Sequence, residues 1–259
     1  MAAGKGTRMK SARPKVLHTL AGRSLLQHVL NAVAGLGADR TLVIVGYGAE
    51  AVRTQVAEHG ALGVLQEPQL GTGHAVQQAV PHLPDAGTTL ILNGDVPMIE
   101  ADTAAALVAA CGGTKLALLT VELSDPTGYG RIVRDPGQGD AVKAIVEHKD
   151  ASAAQRAIRE VYTGMLAAPT AWLKRSVMSL KNDNAQREYY LTDIVAIAEG
   201  ERLPVLAVPA HDETEVAGVN SAAELAGLER RLQRRQAEAL MEAHGVRFAD
   251  PARFDLRGT

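Results

Sequence analysis

Gly4-Lys5-Gly6-Thr7-Arg8-Met9, followed shortly by Pro14-Lys15, sets two glycines beside the cations Arg8 and Lys15. Glycine lets backbone N–H groups converge on an anion because no Cβ stands in the way. Guanidinium and ammonium groups are the usual partners of phosphate oxygens. The segment is not a dinucleotide fingerprint, which needs a third glycine where Met9 stands. Nor is it a P-loop, which needs Gly-Lys-Ser/Thr after four spacer residues. Two readings remain from spacing alone, a flexible terminal turn and a cradle for a triphosphate.

Two more segments carry usable chemistry. Asn93-Gly94-Asp95 follows the apolar run Thr88-Thr89-Leu90-Ile91-Leu92. In open α/β sheets ligands bind off the carboxyl ends of strands, where a carboxylate suits a hard cation such as magnesium. The plain alternative for Asp95 is a turn residue or helix cap, although Val-Pro after it caps a helix poorly. In Gln66-Glu67-Pro68-Gln69-Leu70-Gly71-Thr72-Gly73-His74, an amide and nearby backbone groups can match the donor and acceptor edge of uracil. Gln66, Gly71 and Thr72 are the candidates; an ordinary loop-to-helix junction is the alternative. His74 reads as a structural residue of the first helical turn.

These residues need elements to hold them. "TLVIVGYG" (41–48) and "TTLILNGDVP" (88–97) read as buried strands stopped by glycine or proline. Residues 24–37 read as a helix with Leu25, Leu26, Val29, Leu30 and Val33 on one face, ended by Gly35 and Gly37. Alternation of this kind implies βαβ units and a parallel sheet. "LALLTVEL", "GRIVRD" and "AVKAIVEHKD" read as closely spaced strands, with turns at 125–126 and 135–137, hence hairpins added to that sheet. A helix is expected from Arg187 through Ala198, and a long amphipathic one over 221–244.

Composition narrows the class. The 259 residues suffice for one large α/β domain with a small appendage. At 3% aromatic, the core falls to Ala, Val, Leu and Ile, which suits strands covered by helices on both faces. Lys and Arg total 27 against 29 Asp and Glu, so no basic field argues for nucleic acid. Cys111, the single cysteine, excludes an internal disulfide and fits a reducing cytoplasm, where it reads as a small buried apolar residue. No apolar run reaches the roughly 18 residues of a membrane span, so a cytoplasmic protein without a membrane partner is expected.

Taken in order, "AAGKGTRM", "PKVLH", "QLGTGHA", "NGDVP", "DPTGYGRI", "IVEHKD", "YYLTDI", "GVN" and "DPARFDLRGT" carry a resemblance. The chain resembles, over essentially its whole length, the N-terminal uridyltransferase region of the bacterial bifunctional N-acetylglucosamine-1-phosphate uridyltransferase/glucosamine-1-phosphate acetyltransferases. That resemblance implies a Rossmann-like nucleotide-diphospho-sugar transferase fold with a mostly parallel sheet and an added β-rich sugar-binding part. It implies transfer of UMP from UTP to N-acetylglucosamine 1-phosphate for peptidoglycan and lipopolysaccharide precursors, with Mg2+ held by Asp95 and Asn220. Ala2, Ala3 and Gly4 would contact the nucleotide, Arg8 and Lys15 its phosphates, and Gln66, Gly71 and Thr72 the uracil. Asn93 and Gly94 flank the metal carboxylate, Asn93 at a position that varies among relatives. Gly130, Glu147, Tyr162 and Thr192 would line the sugar-phosphate pocket. Tyr162 stands where relatives commonly carry Asn, its backbone serving there in place of a side chain.

The resemblance also implies boundaries: a transferase domain over 1–219, a linker helix over 220–245, and over 246–259 the start of a left-handed β-helix that in full-length relatives acetylates and trimerises. Acetyl transfer is therefore not expected of this chain. Relatives carry a Val- and Ile-rich strand directly before the Ala-Ala-Gly loop, so the first strand is expected to be missing and the chain to fold poorly or to lack activity. The alternatives are another sugar-1-phosphate nucleotidyltransferase and a non-catalytic nucleotide-sugar binding module.

Overall fold

The computed structural model describes residues 1–135, 137, 141–184 and 186–257. Pro136 of the expected 135–137 turn and the last two residues of "FDLRGT" lie outside the described residues.

A short antiparallel pair, β1 (Thr19–Leu20) and β2 (Arg23–Ser24), leads into α1 (Leu25–Val33). Ser24 caps that helix, its Oγ accepting from the Gln27 N–H at 3.0 Å. Next, β3 (Leu42–Val45), α2 (Ala49–Glu58) and β4 (Leu62–Leu65) form the expected βαβ unit with two parallel strands. The remaining elements are α3 (Thr72–Ala79), β5 (Thr88–Ile91), α4 (Ala101–Cys111), β6 (Leu116–Glu122), β7 (Gly130–Asp135), β8 (Ala141–Val146), α5 (Ala153–Arg156), β9 (Glu160–Pro169), α6 (Thr170–Met178), α7 (Ile194–Gly200), β10 (Val205–Pro209) and α8 (Ala222–His244).

Six of these strands form one sheet in the order β10-β6-β9-β7-β8, with β5 also paired to β9. β10 runs parallel to β6, and β7 and β8 make the hairpin expected from sequence. The sheet is nevertheless mixed rather than mostly parallel: β9 lies inside it and runs antiparallel to β5, β6 and β7. At ten residues β9 is long enough to pair along one side with β6 and along the other with β5 and β7 in succession. Periodicity shows that each run is a strand; only the pairing shows its direction.

Met1–Ala3 joins the two groups of strands. Ala2 bridges Val45 in parallel and donates its N–H to Ile44 at 2.8 Å, while the Met1 carbonyl accepts from Gly94 at 2.9 Å. The loop at Lys5–Arg8 therefore starts at the carboxyl ends of β3 and β5.

Core residues alternate along the central strands because both faces are covered. Leu116 and Leu118 of β6 pack with Trp172, Leu173 and Val177 of α6 and Ile194 of α7. Ala117, Leu119 and Val121 point the other way, against Leu107 and Cys111 of α4. Cys111 is fully buried, as expected. The helix anticipated from Arg187 begins later, with a 3₁₀ turn at Leu191–Asp193 and then α7. Tyr189 is held extended because its N–H donates to Leu70 and its carbonyl accepts from Gly73, so its backbone belongs to the neighbouring loop. Leu118, 0% exposed, packs between β6 and α6, so truncation there should leave an unfilled space. Leu118→Ala is expected to cost about 2–5 kcal/mol of stability in urea unfolding.

Candidate active site

A cavity of 520 Å³ opens beyond the carboxyl end of β5, and Arg8, Asn93, Asp95, Tyr129, Asn220 and Glu224 are among its walls. Arg8 lies on a 3₁₀ turn, Thr7–Met9, that is pinned from beneath. Met9 is buried with Leu20, Leu25, Met98 and Leu228, leaving Arg8 exposed to the cavity. Gly6 precedes the turn in the left-handed region (φ 62°), and a Cβ there would stand 2.7 Å from the Lys15 stem. Only glycine satisfies both conditions.

Lys15 reaches the far wall. Its Nζ donates to Asp95 Oδ2 and, at 3.1 Å, to Asn220 Oδ1. Both ends of the ion pair are mostly covered, at 13% and 21% side-chain exposure, so each charge depends on the other. Asp95 is fixed through its backbone, the carbonyl accepting from the Val219 N–H at 2.9 Å. Asn220 is fixed by the start of α8. Ser221 caps the helix by accepting from the Glu224 N–H at 3.2 Å, and Glu224 Oε2 accepts from the Asn220 N–H at 2.7 Å. Two oxygens thus converge on one cation, a donor set that a hard divalent ion also accepts. No cluster of three His, Cys, Asp or Glu side chains suited to a metal occurs among the described residues. An ion held at Asp95 and Asn220 would draw its other ligands from substrate or water.

Asn93 turns away from Asp95 and donates its Nδ2 to the Thr163 carbonyl at 3.3 Å. Gly164 follows at φ 86°, where β9 shifts register against β6. The position of a Gly164 Cβ is filled by the Asn93 amide.

A second group surrounds Gln66, at the end of β4. Its Nε2 donates to the Gly71 carbonyl at 2.9 Å and meets His74 Nδ1 at 3.2 Å, so the remaining face of the amide is its Oε1 acceptor. Gly71, at φ 105°, passes so close to Tyr189 that a Cβ would lie 2.7 Å from the Tyr189 carbonyl oxygen. Thr72 opens α3 and accepts from the Leu191 N–H at 3.0 Å. His74 is the first-turn structural residue expected, wedged between Gln66 and Gln78.

The third group is brought together by the sheet. Gly130 pairs with Tyr162 across β7 and β9. Glu147, just after β8, has its carboxylate oxygens 3.7 Å from where a Gly130 Cβ would be, and Thr192 donates to Glu147 Oε1 at 3.2 Å. Burial raises the Glu147 pKa above the usual glutamate range; the Thr192 bond opposes the shift, while Asp150 and Asp193 add to it. The Tyr162 phenol is pushed up by burial and then by Glu147, and its hydroxyl has no partner.

Ala2 and Ala3 are buried beside β3, and Gly4 is exposed; none of the three lines the cavity. Sequence reasoning missed Thr127, Gly128 and Tyr129, and with them Glu224 and Arg231 of α8, all of which line the cavity. The Tyr129 phenol is raised by burial first, then by Glu224 and Asp95. The signal for α8 was present in Ser221-x-x-Glu224, a capping pattern that starts the helix immediately after Asn220.

The profile of the MobA-like NTP transferase domain family matches residues 1–247. Among curated proteins, one called bifunctional protein GlmU from Methylibium petroleiphilum is 70% identical over 264 residues, covering 100% of this chain and 57% of that protein. A protein of the same name from Polaromonas naphthalenivorans is 58% identical, over 100% of this chain and 56% of its own length. Another from Paracidovorax citrulli is 60% identical, over 99% and 54% respectively. The chain spans a little over half the length of these relatives.

The Glu147 environment carries a pH signature. Because the folded protein holds the Glu147 proton more tightly than the unfolded chain, its contribution to stability is fully present below the ordinary glutamate pKa and is lost as pH rises through the raised one. Melting temperatures of wild type and Glu147→Gln, followed upward from acid pH, should diverge in that window, with the wild type losing ground. Parallel curves would show that Glu147 is not desolvated.

Proposed function

Because the chain belongs to the MobA-like NTP transferase domain family, we propose that it moves the uridylyl group of UTP onto N-acetylglucosamine 1-phosphate, releasing pyrophosphate. A phosphate oxygen of the sugar phosphate attacks the α-phosphorus of UTP in line, and the bond to the bridging oxygen of pyrophosphate breaks as the new P–O bond forms. The attacking group is already an anion, so no side chain need act as nucleophile or base; catalysis rests on positioning and charge.

The observation that carries this reading is Lys15 Nζ held between Asp95 and Asn220, two residues that line one cavity together with Arg8. The ammonium stands in for a metal: the carboxylate and amide oxygens that hold it are hard ligands, suited to magnesium. When bound there, magnesium would supply charge neutralisation at the reacting phosphates. Arg8 offsets the charge that grows on the departing pyrophosphate. Lys15, released from Asp95, turns to the nucleotide phosphates. Gln66 Oε1 and the backbone at Gly71 and Thr72 read the uracil edge, with Ala2, Ala3 and Gly4 beneath the nucleotide. Asn93 and Gly94 hold the Asp95 loop in place. On the other side, Glu147 accepts from a sugar hydroxyl, with Gly130, Tyr162 and Thr192 around it.

Pyrophosphate release with UTP and magnesium should be selective for N-acetylglucosamine 1-phosphate over glucose 1-phosphate. Equal use of the two would shift the reading to a broader sugar-1-phosphate transferase, and nucleotide binding without turnover to a binding module. Arg8→Ala should lower turnover about 10²–10³-fold with an unchanged melting temperature. Lys15→Met should bind Mn2+ more tightly than wild type without nucleotide, as read by electron paramagnetic resonance, because the resident ammonium is gone. Unchanged Mn2+ affinity would remove Asp95 and Asn220 as the metal site.

A further inference from the structure

Among the described residues, Arg131 is the largest fully buried side chain, at 1% exposure. A guanidinium taken out of water ordinarily requires a carboxylate beside it. Among the described residues none lies within ion-pair distance of Arg131. Its nitrogens go to neutral acceptors instead: the Tyr129 carbonyl, His148 Nδ1 at 3.2 Å and the Arg156 carbonyl at 3.5 Å. Its Nε has no partner. A guanidinium only donates, so His148 must accept through Nδ1 and carry its proton on Nε2.

The placement of these partners is informative. Arg131 pairs with Val146 on β8 and Val161 on β9, and its side chain leaves the face of β7 opposite to the one Gly130 occupies. Tyr129 directly precedes Gly130, and His148 directly follows Glu147. One guanidinium therefore grips the neighbour of each of two residues that face each other across the sugar side.

We infer that Arg131 is the positioning residue of the sugar pocket: through the Tyr129 carbonyl and His148 Nδ1 it sets the spacing between Gly130 and the Glu147 carboxylate. The inference rests on the reading that Gly130 and Glu147 face the sugar. A buried cation with neutral partners adds little to stability against an apolar side chain of similar volume, whereas its planar fork fixes two loops at once.

The test uses His148, which is only partly buried and lies outside the proposed contact residues. His148→Leu removes the acceptor; His148→Gln keeps one in its side-chain oxygen. In His148→Leu, hydrogen–deuterium exchange should rise both in 125–130 and in 147–150, and KM for the sugar phosphate should rise about tenfold, the worth of one charge-assisted hydrogen bond, while KM for UTP holds. His148→Gln should restore both readouts, and Arg131→Met should show the same pattern more strongly. Exchange confined to 147–150, a parallel rise in both KM values, or no recovery with Gln would overturn the inference. If the wild type prefers another sugar phosphate, the KM split is read on that substrate, so the proposed activity and the clamp fail separately.

Discussion

A mostly covered carboxylate, Asp95, needs a cation beside it, and that partner comes from 80 residues away. Lys15 meets Asp95 at the end of β5 and Asn220 at the start of α8, so a single ammonium ties three distant parts of the chain. Much of the local detail follows from that requirement. Gly6 lacks a side chain because the Lys15 stem passes over it. Gly94 is crowded by Met1 and Ala2, which brings Asp95 in beside the first loop. Ser221 and Glu224 cap α8 so that Asn220 presents its oxygen at the right place.

The antiparallel strand β9 separates two electrostatic regions. On the β5 side Arg8 and Lys15 provide cationic charge suited to phosphates. Toward β7 and β8 the charge is acidic, with Glu147 near Asp150 and Asp193 and burial lifting the Glu147 pKa. Sugar hydroxyls want acceptors and phosphates want cations, so under the proposed function the two sides of β9 take different parts of the substrates. The register shift at Gly164 keeps the division open: it turns the Thr163 carbonyl to Asn93 and leaves room for the amide.

Polar groups beside the pocket are largely spent on the protein itself. Gln66 uses its amide nitrogen on Gly71, Thr72 accepts from Leu191, and Tyr189 closes the same loop through both its N–H and its carbonyl. Such loops are held rigid by hydrogen bonds that do not depend on ligand, leaving one acceptor or one exposed backbone edge for recognition.

Much was legible in the sequence because it is local. Ser24 before an apolar helical face, Gly-x-Gly ahead of Arg8, and the Asp95 turn after a strand each follow from backbone geometry over a few residues. The expectation that Asp95, Asn220, Gly130 and Glu147 share one site came from resemblance, since nothing local joins positions so far apart. Pairing decided the rest. Strand direction depends on hydrogen bonds between segments remote in the chain, so β9 could be recognised as a strand yet not as the antiparallel centre of the sheet. Tyr189 stayed out of a helix because Leu70 and Gly73 offered its backbone better partners. Arg131 looked like one alternating residue of a strand, and only the approach of two loops and the end of α5 turned it into a buried cation. Propensity and periodicity act within a segment; the partners of a buried polar group are assigned only when the chain closes on itself.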